Sequence, residues 1–103
     1  MAQPVYKLWT VKFKEAWYQL SKDERNSLFA QVTATLEKVG AKIVVACDAS
    51  WSSEQWPFFG IEEYPDIEAV QAHAQLLNEM QWFRYVESTT ALGTALEIEH
   101  VLG

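Results

Sequence analysis

A chain of 103 residues, half of them apolar and 14% aromatic, with 14 acidic and 8 basic side chains, has room for one core of ordinary size and no second one. Only four Gly and three Pro interrupt it, which excludes a disordered or low-complexity chain. The formal charge of −6 excludes a general affinity for nucleic acid or an anionic membrane surface, since both need clustered Lys and Arg.

Val5 to Phe13 (VYKLWTVKF) is rich in β-branched and aromatic residues and predicts a first strand beginning just after Pro4. KEAWYQL then reads as a connector. Ser21-Lys22-Asp23-Glu24 is a capping box, in which the Ser hydroxyl accepts from the Glu24 amide and the Glu carboxylate reaches back to the Ser amide. It predicts a helix over about 22–39, with Leu28, Phe29, Val32, Leu36 and Val39 on one face and Gly40 free to take the left-handed turn at its end. AKIVVACDA (41–49) predicts a second strand, SWSSEQ a loop, and WPFFGIEEY (56–64) a third strand with Gly60 as a bulge or close-approach point. Pro65-Asp66 stops that strand and caps a second helix whose stripe is Ile67, Val70, Ala74 and Leu77. The helical pattern runs on through Met80, Trp82, Phe83, Tyr85 and Val86 after a shift of face, TTALGT reads as a turn, and ALEIEHVL (95–102) alternates into a last strand.

The order β-α-β-β-α-β predicts an α+β, ferredoxin-like domain over 1–103: a four-stranded antiparallel sheet with two helices on one face. Strand one is apolar at Val5, Trp9, Val11 and Phe13 and also at Tyr6 and Leu8; strand two has Ile43, Val45 and Cys47 on one side against Val44 and Ala46, and strand three Trp56 and Phe58 against Phe59 and Ile61. The helices can cover one face only. A homodimer packed sheet against sheet is therefore expected. The first 42 residues hold seven of the eight cations and the remainder ten of the 14 acids, an asymmetry open to docking of two copies or to solvated faces of unequal sign.

The single cysteine, Cys47, excludes an internal disulfide and a thiolate-rich zinc site, and in its apolar strand it reads as a small core residue. No signal peptide and no apolar run near 18 residues is present, so the expected location is the cytoplasm.

Three segments, LWTVKFKEAWYQLSKDERNSLF, FFGIEEYPDIEAVQAH and MQWFRYVES, resemble the dimeric α+β-barrel superfamily, and within it a small uncharacterised branch of single-domain proteins. In that branch the strand before Pro-Asp resembles Trp-Arg-aromatic, where this chain has Glu62-Glu63-Tyr64. The resemblance implies a small-molecule cleft between helices and sheet. It also implies a range of activities: cofactor-free oxygenases acting on aromatic substrates, lactone isomerases, haem-binding proteins, and members with no known activity.

His73 falls between Val70, Ala74 and Leu77 and so points toward the sheet, where an imidazole can act as a general base, ligate haem iron, or simply pack with its nitrogens satisfied. Glu62 and Glu63 face opposite sides of strand three, and a carboxylate entering an apolar cavity is a usable acid or base near neutrality. Asp48 either lines the same mouth or starts the following turn. Trp9, Trp51, Trp56 and Tyr64 are candidates to shape a pocket or stack an aromatic ligand, with core or interface as the competing role. His100 lies close to the C-terminus. With two histidines and one cysteine, no metal site is expected.

The leading expectation is a protein that binds a small organic molecule and, if an enzyme, performs cofactor-independent oxygenation or isomerisation, with His73 as base and Glu62 or Asp48 orienting it. The alternatives are a haem-binding module with His73 as ligand, and a non-enzymatic interaction domain whose aromatics fill the interface.

Overall fold

A computed structural model describes residues 3–99. Strand β1 (Val5–Phe13) leads through a helical turn, α1 (Glu15–Tyr18), to α2 (Lys22–Lys38) and then β2 (Lys42–Asp48). After a loop come β3 (Phe58–Tyr64), α3 (Ile67–Glu79), a 3-10 turn at Trp82–Arg84 and β4 (Val86–Gly93). The strands form one antiparallel sheet in the order β2-β3-β1-β4. The fold is the ferredoxin-like α+β arrangement expected from the sequence.

Local chemistry starts both long helices, and stops the first, where the sequence places it. The Ser21 hydroxyl accepts from the Glu24 amide at 3.1 Å and the Ser21 amide donates to Glu24 Oε1 at 2.9 Å. At the other end of α2, Gly40 adopts φ 76°, and the amides of Gly40 and Ala41 close on the carbonyls of Glu37 and Leu36. Asp66 Oδ1 accepts from the Ala69 amide at 2.8 Å, which opens α3 directly beyond β3.

Four details correct the sequence reading. The connector after β1 contains the turn α1, whose last carbonyls, those of Trp17 and Tyr18, accept from the Arg25 guanidinium. The second helix ends at Glu79, because Gln81 takes the left-handed conformation (φ 58°), and the aromatic run beyond it forms the 3-10 turn. The last strand is therefore 86–93 rather than 95–102. It pairs with β1 along its whole length, Thr10 and Thr89 joining through their hydroxyls, whereas Thr94–Glu97 form no strand and Ile98–Glu99 are helical. His100 and the end of the expected strand lie outside the described residues. Finally, a register shift between Ile43 and Val45 puts those two side chains on opposite faces: Ile43 opposes Glu62, while Val45 opposes Ile61.

Odd positions of β1 (Val5, Lys7, Trp9, Val11, Phe13) and even positions of β3 (Phe58, Gly60, Glu62, Tyr64) face the helices. Two clusters anchor that face: Val5, Leu36, Tyr64, Ala69 and Val70 at one end, and Trp17, Leu77, Trp82 and Val86 at the other. On α3 the buried stripe is Ala69, Val70, His73 and Leu77, rotated from the expected one, so that Ile67 and Ala74 are exposed. The outer face carries Tyr6, Leu8, Val45, Phe59 and Ile61, of which Leu8, Val45 and Phe59 remain substantially exposed.

Candidate functional site

The two clusters leave space between them. A cavity of about 780 Å³ lies between α2, α3 and the sheet, and its walls are mostly aromatic and aliphatic: Trp9, Phe13, Trp17, Phe29, Phe58 and Trp82 among others. The rings brace one another, Phe13 stacking on Trp17 at 4.5 Å and Trp17 meeting Phe29 edge-on at 5.0 Å. Trp9 has a seat of its own. A side-chain carbon at Gly60 would lie 2.5 Å from Trp9 Cζ2 and 2.6 Å from the Val45 carbonyl oxygen, so the indole occupies the space that glycine leaves empty.

One part of this wall is polar. Tyr64, fully buried at the end of β3, donates its hydroxyl proton to Glu62 Oε1 at 2.6 Å, two residues back on the same strand face. With that proton committed, the phenol oxygen accepts from His73 Nδ1 at 2.9 Å, reached from the second turn of α3. The neutral imidazole therefore carries its lone pair on Nε2. Lys7, directly opposite Glu62 on β1, completes the group with Nζ 3.9 Å from Glu62 Oε1 and 5.9 Å from the centre of the Tyr64 ring.

Burial sets the charges. His73 is 2% exposed, and desolvation, helped by the Lys7 charge, pulls its pKa from 6.5 down to about 4. Desolvation also raises the Tyr64 phenol, with the Glu62 hydrogen bond and charge adding to it, so the hydroxyl stays a donor. Lys7 is pulled down by desolvation and partly restored by Glu62. Two nitrogens, His73 Nε2 and Trp9 Nε1, are sealed from solvent without a hydrogen-bond partner. Lys7 Nζ and Glu62 Oε2 are not sealed, and both residues line the cavity, so within this group these are the polar atoms a ligand can reach, while polar side chains of α2 and β4 line the cavity elsewhere.

The candidates from sequence divide accordingly. His73, Glu62 and Trp9 line the cavity together, and Tyr64 stands behind His73, holding it and Glu62 in place. Asp48 lines the cavity away from this group, and its exposed carboxylate accepts from the Ser50 hydroxyl and amide, which hold its pKa below the usual range and start the turn. Trp51 is 83% exposed, with its indole N–H on the Asp48 carbonyl, and neither it nor Trp56 lines the cavity. Lys7 is the functional candidate that sequence reading passed over, although its place in phase with Val5, Trp9 and Val11 puts it on the helix-facing side. Among the described residues no cluster of three or more His, Cys, Asp or Glu is set to hold a metal, and no helix is long and apolar enough to cross a membrane.

The architecture is the ferredoxin-like α+β fold, and solved structures share it. A variant of chlorite dismutase from Candidatus Nitrospira defluvii superposes with a TM-score of 0.69 over 93% of this chain at 14% identity. This chain spans 41% of that protein's length. The RPA0582 protein of unknown function from Rhodopseudomonas palustris superposes with a TM-score of 0.63 at 16% identity, covering 94% of this chain and 85% of that one. The chain belongs to the family of unknown function DUF6616, whose model matches residues 3–103. No curated protein matches it.

Proposed function

We propose that the protein binds a small, apolar, aromatic-shaped organic molecule in the cavity of each subunit and exchanges a proton with it without a cofactor, as an isomerase or cofactor-independent oxygenase does. The observation that carries this reading is the placement of Lys7, Glu62 and His73, braced by Tyr64 behind them, on one wall of a largely apolar cavity. Its volume supports a ligand site over an aromatic surplus that only fills an interface.

Glu62 Oε2 is the base in this reading. Oε1 is held by the Tyr64 hydroxyl, which fixes the carboxylate plane, and His73 fixes Tyr64. His73 is thus a positioning residue, because its free nitrogen is sealed off and its depressed pKa makes it a weak base. The same sealing weighs against haem. An iron-ligating nitrogen needs open space on its lone-pair side, and His73 Nε2 has none, so the residues do not fit a haem held by His73.

The second element of the proposal is a homodimer closed through the outer sheet face, where Leu8, Val45 and Phe59 are exposed together. Ligand-observed NMR against small aromatic compounds tests the cavity. Binding is expected to wild type and to Glu62→Gln but not to Ala46→Phe, which fills the cavity from β2; equal binding to Ala46→Phe would overturn the reading.

A further inference from the structure

We propose that Lys7 is a carbonyl-capturing residue: its ε-amino group condenses with an aldehyde or ketone carried by the ligand, forming a Schiff base, with Glu62 as the proton carrier. This rests on the cavity being a ligand site. Lys7 alone among the six lysines is buried, while Lys12, Lys14, Lys22, Lys38 and Lys42 are exposed. It projects from a strand paired on both sides, opposite Glu62 and Leu92, so its base is rigidly placed. Its Nζ makes no hydrogen bond; its one ionic partner, Glu62 Oε1, is 3.9 Å away and already accepts from Tyr64. A structural ion pair of this burial would close to hydrogen-bond distance, and this one stands at 3.9 Å. A nitrogen held open on the wall of an apolar cavity beside a carboxylate is instead the setting in which a lysine becomes a nucleophile. The downward pull of burial on its pKa works in the same direction.

The step balances within the pair. Glu62 takes a proton from Nζ, leaving a neutral amine and a carboxylic acid. The amine lone pair forms the N–C bond as the carbonyl π pair moves to oxygen, and one amine proton passes to that oxygen. Glu62 then returns its proton to the hydroxyl, which leaves as water while the nitrogen lone pair forms the C=N bond. The products are a protonated imine on Lys7, water and the Glu62 carboxylate. The ligand class is a small apolar aldehyde or ketone, with an aromatic ring to suit the walls.

Benzaldehyde with sodium cyanoborohydride at neutral pH, followed by peptide mass mapping, tests this on the intact wild-type protein. The benzyl adduct is expected on Lys7 ahead of the five exposed lysines. Glu62→Gln should slow the Lys7 adduct roughly a hundredfold, the scale of general acid–base assistance, and leave the exposed lysines unchanged. Lys7→Arg, which keeps the charge, should lose the fast adduct. Benzyl alcohol, an unreactive analogue followed by ligand-observed NMR, separates the two ideas. If it binds and Lys7 is labelled no faster than the exposed lysines, carbonyl capture is overturned and the cavity reading stands. If it does not bind and Lys7 is again no faster, both are overturned.

Discussion

Tyr64 and His73, nine residues apart, meet at 2.9 Å across the junction of β3 and α3, and the bond ties the end of a strand to the second turn of the helix that follows it. Between them lie Pro65 and Asp66, which stop the strand and cap the helix, so the turn chemistry that shapes the backbone also delivers the imidazole to the phenol.

Tyr64→Phe keeps the ring and removes the hydroxyl. It leaves His73 Nδ1–H without an acceptor and Glu62 Oε1 without its donor, both in a buried setting. A loss of about 1–3 kcal/mol of stability is expected, read from urea unfolding.

The depressed pKa of His73 makes stability depend on acid. Unfolded, the imidazole titrates near its ordinary value of 6.5; folded, it resists protonation down to about 4. As pH falls through that window the unfolded chain takes up a proton that the folded chain refuses, so stability present above pH 6.5 is progressively lost toward pH 4, by an amount on the order of 3 kcal/mol. The wild-type unfolding midpoint should fall more steeply over this range than that of His73→Gln. Parallel curves for the two proteins would contradict the assignment.

Gly60→Ala places a carbon against the Trp9 ring and the Val45 carbonyl oxygen at once, and the latter belongs to backbone that cannot rotate away. The expected cost is about 1–3 kcal/mol, with a shift in tryptophan emission as Trp9 is pushed into the cavity.

Haemin titration should give the same Soret spectrum with wild type and with His73→Ala, because Nε2 is closed to an iron atom. A band that depends on His73 would show that the ring turns out into the cavity and would restore the haem reading.

Leu8→Lys combined with Phe59→Lys puts charges on the outer face, where the two strands lie side by side. Sedimentation is expected to show a dimer for wild type and a monomer for the double variant, with the fold unchanged by circular dichroism.

What could be read from sequence was what residues three or four apart decide. The Ser21–Glu24 box, the Asp66 cap and the Gly40 turn each need only near neighbours, and each is present in the structure. The last strand was misplaced because Trp82, Phe83 and Tyr85 continue an apolar helical pattern. What ends the helix is the left-handed Gln81, a residue type that gives no warning of that conformation. Strand β4 is then identified by its partner β1 more than by its own residues. The site divides in the same way. His73 is legible from helical phase; for Lys7 strand phase gives the face but not the burial, since a lysine in a strand is exposed by default and its burial depends on register against Glu62.

The register shift in β2 has a consequence for how the protein can assemble. With β4, β2 is an edge of the four-stranded sheet, and a straight apolar edge invites strand addition from neighbouring molecules until a ribbon grows. Between Ile43 and Val45 the ladder is broken, and the exposed ammonium of Lys42 stands beside the break. The break works against lateral growth at that edge, and in the proposed homodimer two copies would close on each other through the broad face and leave that face nothing for a third to extend.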